Sequence, residues 1–178
     1  VAFVGSAERR GVPKSVDAFL AAGVEPGTVV LLLDGVTDPQ NYGAILRSAD
    51  QFGVDLVVMP NRRSAHETDA VARASAGAVT TVNVVREANL ANAVRKLQDA
   101  GFWVYAADMD GTPAWECDLS GNIALILGSE GKGVSKVLRE AADQAFSIPT
   151  GGTVDSLNVS VAAGVSLYEV YRQQHSPS

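Results

Sequence analysis

The chain has 178 residues, with 14 Lys and Arg against 20 Asp and Glu for a net charge of −6, and 47% of its residues are apolar. That length makes one domain with a real core, and the acidic balance excludes a general, charge-driven nucleic-acid binder while leaving room for a local basic patch. One cysteine, Cys117, excludes an intrachain disulfide or a cysteine-rich zinc site, and with neither a membrane-length apolar run nor a signal-peptide pattern the expected location is the cytoplasm.

Residues 1–27 show no strong periodicity and contain Gly11-Val12-Pro13 and Glu25-Pro26-Gly27. They read as a linker with room for one short helix. Val1 is not an initiator Met, so the sequence reads as a piece of a longer protein. Thr28 to Leu33 is a continuous apolar run of strand length, closed by the turn pair Asp34-Gly35. Ala44 to Phe52 has Ile45, Ala49 and Phe52 on one helical face. A strand over Val54 to Met59 ends at Pro60. A helix follows over Glu67 to Ser75, and a third strand over Ala78 to Val84. Leu90 to Ala100 is a helix that Gly101 ends. Strands are expected at Phe102 to Ala107, Asn122 to Leu127 and Ala145 to Ile148, and helices at Val134 to Ala142 and Leu157 to Gln173. Strands that are apolar throughout and alternate with helices give an α/β fold, a parallel sheet covered on both faces. The last helix, rich in small and β-branched residues, reads as fully buried.

Ligands in such sheets sit beyond the carboxyl ends of the strands. Three polar, glycine-containing stretches fall there: Asp34 to Gly43, Gly128 to Gly133 and Pro149 to Asn158. In the first, Asn41 is placed as a helix N-cap. Arg47, six residues on, either pairs with Asp50 or clamps a phosphate with its planar fork. The second, Gly128-Ser129-Glu130-Gly131-Lys132-Gly133, fails both the dinucleotide fingerprint and the phosphate-loop pattern. The third places Ser156, Asn158 and Ser160 around the start of a buried helix, where polar groups must find partners. The basic residues Arg62-Arg63, Arg95-Lys96 and Lys132, Lys136, Arg139 are grouped, though each group also reads as an ordinary solvated face. No cluster has metal-ligand spacing, and no metal is expected. His66 and His175 read as a loop and a disordered-tail residue, Cys117 as a packing residue, and Trp103 and Trp115 as core or dimer-interface residues.

The three stretches in this order resemble the three motifs of the SpoU (TrmH) branch of the SPOUT methyltransferases: Asn41…Gly43…Arg47, then Leu127-Gly128-Ser129-Glu130-Gly131, then Ile148-Pro149 through Ser156-Leu157-Asn158. The resemblance spans about residues 28–174 with no departure at the motif positions. The form Asp34-Gly35-Val36-Thr37-Asp38-Pro39-Gln40-Asn41 is especially similar to 23S ribosomal RNA guanosine-2′-O-methyltransferases. The resemblance implies a C-terminal deep trefoil knot, against the general rarity of knots, with the last helix threaded through the second-motif loop. It implies a methyltransferase domain over 28–174, a tail over 175–178, and an RNA-binding domain ahead of the linker.

It further implies that S-adenosylmethionine is held largely by backbone at Gly128, Ile148 and Leu157, with Leu127, Ser129, Glu130, Gly131, Asn158 and Ala107 beside it. The catalytic set becomes Arg47, Asn41, Glu130, Ser156 and Asn158. RNA contacts fall to Arg47, Arg62, Arg63, Lys132 and Lys136, and the protein is expected to work as a homodimer through the knot. The implied reaction is methylation of a ribose 2′-hydroxyl in RNA, most specifically a guanosine of 23S rRNA. The alternatives are a tRNA methyltransferase, a resistance-type rRNA methyltransferase, an inactive RNA-binding module, and, disfavoured by the failed glycine fingerprint, a nicotinamide-dependent enzyme.

Overall fold

The computed structural model describes residues 11–61, 81–154 and 156–177. Its elements in chain order are α1 (Val16–Ala21), β1 (Val29–Asp34), α2 (Pro39–Gln51), β2 (Leu56–Pro60), β3 (Val84–Glu87), α3 (Leu90–Asp99), β4 (Trp103–Pro113), β5 (Ile123–Gly128), α4 (Lys136–Ala141), β6 (Gln144–Ser147) and α5 (Val159–His175). The helix expected at Glu67–Ser75 lies outside the described residues, as do residues 78–80 of the expected third strand. That strand forms later, at Val84–Glu87.

All strand pairs are parallel and the order is β3-β2-β1-β5-β4-β6. Alternation within β1 divides its side chains between two cores. Val29, Leu31 and Leu33 face α2 and α5, while Val30 and Leu32 face α1, α3 and α4. Both faces are covered, which is why these strands read as apolar at every position. The expected α/β parallel sheet is therefore the observed one.

Side chains at the strand starts extend the ladder beyond it. Asp55, just before β2, accepts from Val29 N at 2.9 Å. Asp143, before β6, accepts from Val104 N at 2.8 Å, and Asn122, before β5, accepts from Thr28 N at 3.0 Å. Each satisfies a backbone donor that the neighbouring strand leaves open.

Three expectations about element ends need correction. Helix α2 begins at Pro39, with Asp38 as N-cap accepting from Gln40 N at 2.8 Å. Asn41 is thus inside the first turn and is not the cap: proline at the first helical position needs no hydrogen-bond acceptor, so the helix starts there. Helix α5 runs through His175, past the expected end at Gln173, and the His175 ring stacks on Tyr171 at 3.9 Å, so it is a helical residue and not part of a disordered tail. Nor is α5 fully buried: Val161, Val165 and Tyr168 are about half exposed. An apolar helix can be buried on one side only within its own chain.

The short helix in the expected linker is present and docks on the core. Val16 is fully buried among Leu90, Val94 and their neighbours. Burial of a valine side chain is worth about 1.5–3 kcal/mol, so it and not the exposed Lys96–Asp17 pair holds α1 in place. Trp103 and Trp115 are exposed and not core residues, whereas Cys117 is buried as expected.

The end of α5 is anchored by polar contacts. Gln173 donates to Cys117 O and accepts from Leu119 N, and Glu169 takes a two-pronged pair from Arg172 at 2.7 and 2.9 Å. The Arg172 hydrogen bond, with help from Gln173, holds the Glu169 carboxyl below its ordinary 4.5. A lowered folded-state pKa gives stability that is present above the unfolded value and is lost as pH falls through the folded one. Glu169→Gln is therefore expected to lower stability to urea at pH 7, with the difference from the unsubstituted chain shrinking as pH drops below about 4.5.

Candidate active site at the carboxyl ends of β1 and β5

The chain builds β1, β2 and β3 outward in one direction and then returns to lay β5 on the other side of β1. The order of winding reverses between β1 and β5, and the loops after these strands part to opposite faces. Such a switch point leaves a crevice at the carboxyl ends. In register, Asp34 pairs with Gly128 at the last step of the ladder. The loop after β1 leads into α2, on one face, and the loop after β5 leads into α4, on the other.

The β5 loop is wound tightly. Gly133 N donates to Ser129 O at 2.9 Å, and the two residues form an isolated bridge. A Cβ on Gly128 would sit 1.9 Å from the Gly133 carbonyl carbon and 2.2 Å from Val134 N. No side chain fits there. Gly131 and Gly133 turn the loop with φ of +82° and +67°, a region open to glycine at little cost. The glycine pattern is thus explained by close backbone approach.

Glu130, at the loop tip, points across the crevice to the β1 side and to the last segment. Its Oε1 accepts from Asn158 Nδ2 at 2.7 Å and from Asn41 Nδ2 at 3.4 Å. Asn158 Nδ2 also donates to Asn41 Oδ1 at 3.2 Å. The other end of the Asn158 amide caps α5, its Oδ1 accepting from Ser160 N at 2.9 Å and from Ser160 Oγ at 2.5 Å. One amide group thus starts the final helix and binds it to the two other motifs. Capping accounts for both Asn158 and Ser160, whereas Ser156, exposed ahead of the cap, has no hydrogen-bond partner among the described residues.

Helix α5 reaches this position because it packs closely on α2. Ala163 is fully buried, and the Gly164 backbone lies against Ser48, where an added Cβ would be 3.5 Å from Oγ. Phe52 of α2 meets Tyr168 and Tyr171 edge-on or tilted, at 5.9 and 6.0 Å.

The structure brings Asn41, Glu130 and Asn158 together directly. Arg47 is exposed on α2 and has no hydrogen bond or ion pair among the described residues. It does not pair with Asp50, whose carboxylate accepts from Thr81 and Gln51. Ile148 is half-buried on the core and Leu157 is 36% exposed. Leu127 is buried, which leaves only its backbone for a ligand. Ser129 is half-buried and Gly131 exposed. Ala107 lies at an irregularity of β4, where pairing to Phe146 resumes at Thr112. Lys132 and Lys136 are exposed beside the loop, and Arg139 pairs with Asp108 at 3.3 Å. Arg62, Arg63 and His66 lie outside the described residues.

One group at this edge was not assigned a role from sequence. The Asp34 carboxylate accepts from Ser135 N at 2.7 Å. Its signal was the Asp-Gly turn pair, which reads as simple punctuation at the end of a strand. Among the described residues, no three His, Cys, Asp or Glu side chains gather closely enough to hold a metal ion, and no helix is long and apolar enough to cross a membrane.

The profile of the SpoU rRNA Methylase family matches residues 28–168, which takes in all three loops. The chain belongs to this family. It is 46% identical over 145 residues to a protein of Borreliella burgdorferi named as an uncharacterized tRNA/rRNA methyltransferase, covering 81% of this chain and 64% of that one. Among solved structures, it is similar to the SpoU methyltransferase AviRb of Streptomyces viridochromogenes in complex with AdoMet. There the TM-score is 0.78 at 30% identity, over 87% of this chain and 61% of that one. It is also similar to an RNA 2′-O ribose methyltransferase, with a TM-score of 0.74 at 31% identity, over 84% of this chain and 58% of that one. The chain thus spans about three fifths of the length of these relatives.

The crowding at Gly128 gives a direct test of the loop. Gly128→Ala is expected to cost about 1–3 kcal/mol in urea denaturation, because backbone must move to admit the methyl group. The same substitution at Gly151, which has open space around it, is expected to leave stability nearly unchanged.

Proposed function

We propose that this chain binds S-adenosylmethionine at the β1/β5 crevice and methylates a ribose 2′-hydroxyl of RNA. The observation that carries the reading is the Asn41–Glu130–Asn158 network, which joins all three family motifs across the strand ends. The residues present fit the donor. The β5 loop offers backbone amides and carbonyls around Gly131 with open space over them, and Leu157 and Ile148 add an apolar flank. The AdoMet named with the Streptomyces viridochromogenes relative, and the 2′-O ribose activity named for the other, support the same assignment.

When bound, S-adenosylmethionine supplies a methyl carbon carried on a positively charged sulfur. The chain's own task is to align the hydroxyl oxygen with that carbon and sulfur, and alignment is a large part of the barrier in such a displacement. Arg47 is exposed on the α2 turn beyond Asn41 and has no partner among the described residues, free to clamp an RNA phosphate with its fork. A guanidinium keeps its protons in proteins. Arg47 therefore stabilises the negative charge that grows on the oxygen while the hydroxyl proton passes to solvent water and the methyl carbon leaves the sulfur, which becomes a neutral thioether. Glu130 and Asn41 hold the two sides of the crevice at a fixed separation, while Ser156, without a partner among the described residues, faces substrate.

The form Asp34 to Asn41 supports a guanosine of 23S rRNA as the substrate. Lys132 and Lys136, exposed beside the loop, supply the local positive surface that the acidic chain otherwise lacks. The deep knot belongs to the same reading. Its support is the path of the chain, which leaves β6 at the sheet edge and returns to start α5 beside β1 and β5 residues. The homodimer is supported by Val161, Val165 and Tyr168, an exposed apolar stripe along α5 at helical spacing. The cytoplasm is the proposed location.

Calorimetric titration is expected to show S-adenosylmethionine binding and no NAD binding; the absence of donor binding by the folded chain overturns the proposal. With total rRNA and tRNA as substrates, the methyl label is expected in 23S rRNA, and label in tRNA alone would favour the alternative. Arg47→Lys is expected to lower methyl transfer about 100-fold with donor affinity retained, and near-normal turnover would remove the need for a forked clamp. Val165→Glu is expected to convert a dimer to a monomer in analytical ultracentrifugation.

A further inference from the structure

Asp34 stands at the last residue of β1, across the ladder from Gly128. Its side chain passes over the strand end to the far limb of the β5 loop, where Oδ2 accepts from Ser135 N at 2.7 Å. The two residues are 101 positions apart in sequence. Ser135 is the N-cap position of α4, yet its own side chain makes no capping hydrogen bond. The residue that follows β1, Gly35, faces Ser129 at the near limb, where an added Cβ would be 3.4 Å from the Ser129 Cβ.

Both limbs of the 129–135 loop therefore rest on the end of β1. Between them, the Ser129–Gly133 bridge closes the loop on itself. The tip residue, Glu130, is the acceptor for Asn41 and Asn158. A hydrogen bond to a charged group is stronger than a neutral one, and this one lies at the far end of the loop, one residue beyond the buried Val134.

We infer that Asp34 is a positioning residue for the donor site: by holding Ser135 N, its carboxylate fixes the 129–135 loop against β1 and so sets where Glu130 meets Asn41 and Asn158. This rests on the reading of that loop as part of the S-adenosylmethionine pocket. Asp34 itself touches neither donor nor RNA. Its effect passes through the loop backbone.

The test pairs a measurement without ligand with one that has it. In the free chain, Asp34→Ala is expected to speed amide hydrogen exchange across residues 129–135 at least tenfold. In calorimetry the same variant is expected to bind S-adenosylmethionine about tenfold more weakly. Asp34→Asn keeps an acceptor oxygen and is expected to recover most of both effects. Ser135→Pro removes the donor instead, at a φ of −60° that proline adopts, and is expected to match Asp34→Ala even where the latter folds poorly. Faster exchange confined to α4, with donor affinity unchanged, would mean that Asp34 merely caps that helix and would overturn the inference. Equal loss in Asp34→Asn would overturn it too. If the loop loosens as expected but the unsubstituted chain binds no donor, the tether stands and the proposed function falls.

Discussion

The close contact between the backbones of Gly128 and Gly133 is the constraint on which the candidate site depends. Nothing larger than a hydrogen fits on Gly128, because Gly133 and Val134 fill the space. This contact turns the chain sharply after β5 and keeps the loop tip over the strand ends, where it does not continue directly into a helix. Glu130 is then carried to the crevice between β1 and β5, the position at which the winding order of the sheet reverses. A longer or looser turn would leave the carboxylate in solvent, and Asn41 and Asn158 would lose their common acceptor.

The network around Glu130 couples the site to the fold. Asn158 uses its carbonyl oxygen to start α5 and its amide nitrogen to reach Glu130 and Asn41. The placement of the final helix and the assembly of the crevice are therefore one event. The buried face of α5, including Ala163 and Leu167, seats the helix in the same core as α2 and so brings that amide to the strand ends. Arg47 lies outside this network, on an exposed turn of the same α2 that carries Asn41. Among the described residues Arg47 has no hydrogen bond or ion pair, so it is not part of the fixed scaffold.

Much of the fold was legible because the parallel sheet leaves a strong signature. Val29 to Leu33 must be apolar at every position when both faces are covered, and the same holds for Leu56 to Met59 and Ile123 to Leu127. Element ends were less legible. Proline at the first helical position moved the start of α2 back to Pro39 and made Asp38 the cap, releasing Asn41 to the site. Of the two places expected for Trp103 and Trp115, the core is excluded because both lie at the surface of the single chain. The three site stretches were visible as polar and glycine-rich breaks after apolar strands. Asp34 was visible only as half of a turn pair, because its partner, Ser135, is 101 residues away.

The sequence alone determined the fold class, the strands of the sheet centre and the three polar stretches, since hydrophobic period and turn chemistry are local properties of a chain. The order and identity of those stretches also carried the family. The tertiary structure decided which groups share partners. Only the sheet order brings the ends of β1 and β5 side by side, and only the return of the chain to β1 lets Asn158 join Asn41 and Glu130. It also decided that half of α5 stays exposed and that Asp34 reaches Ser135. Such contacts follow from register and packing between distant segments, and no local pattern encodes them.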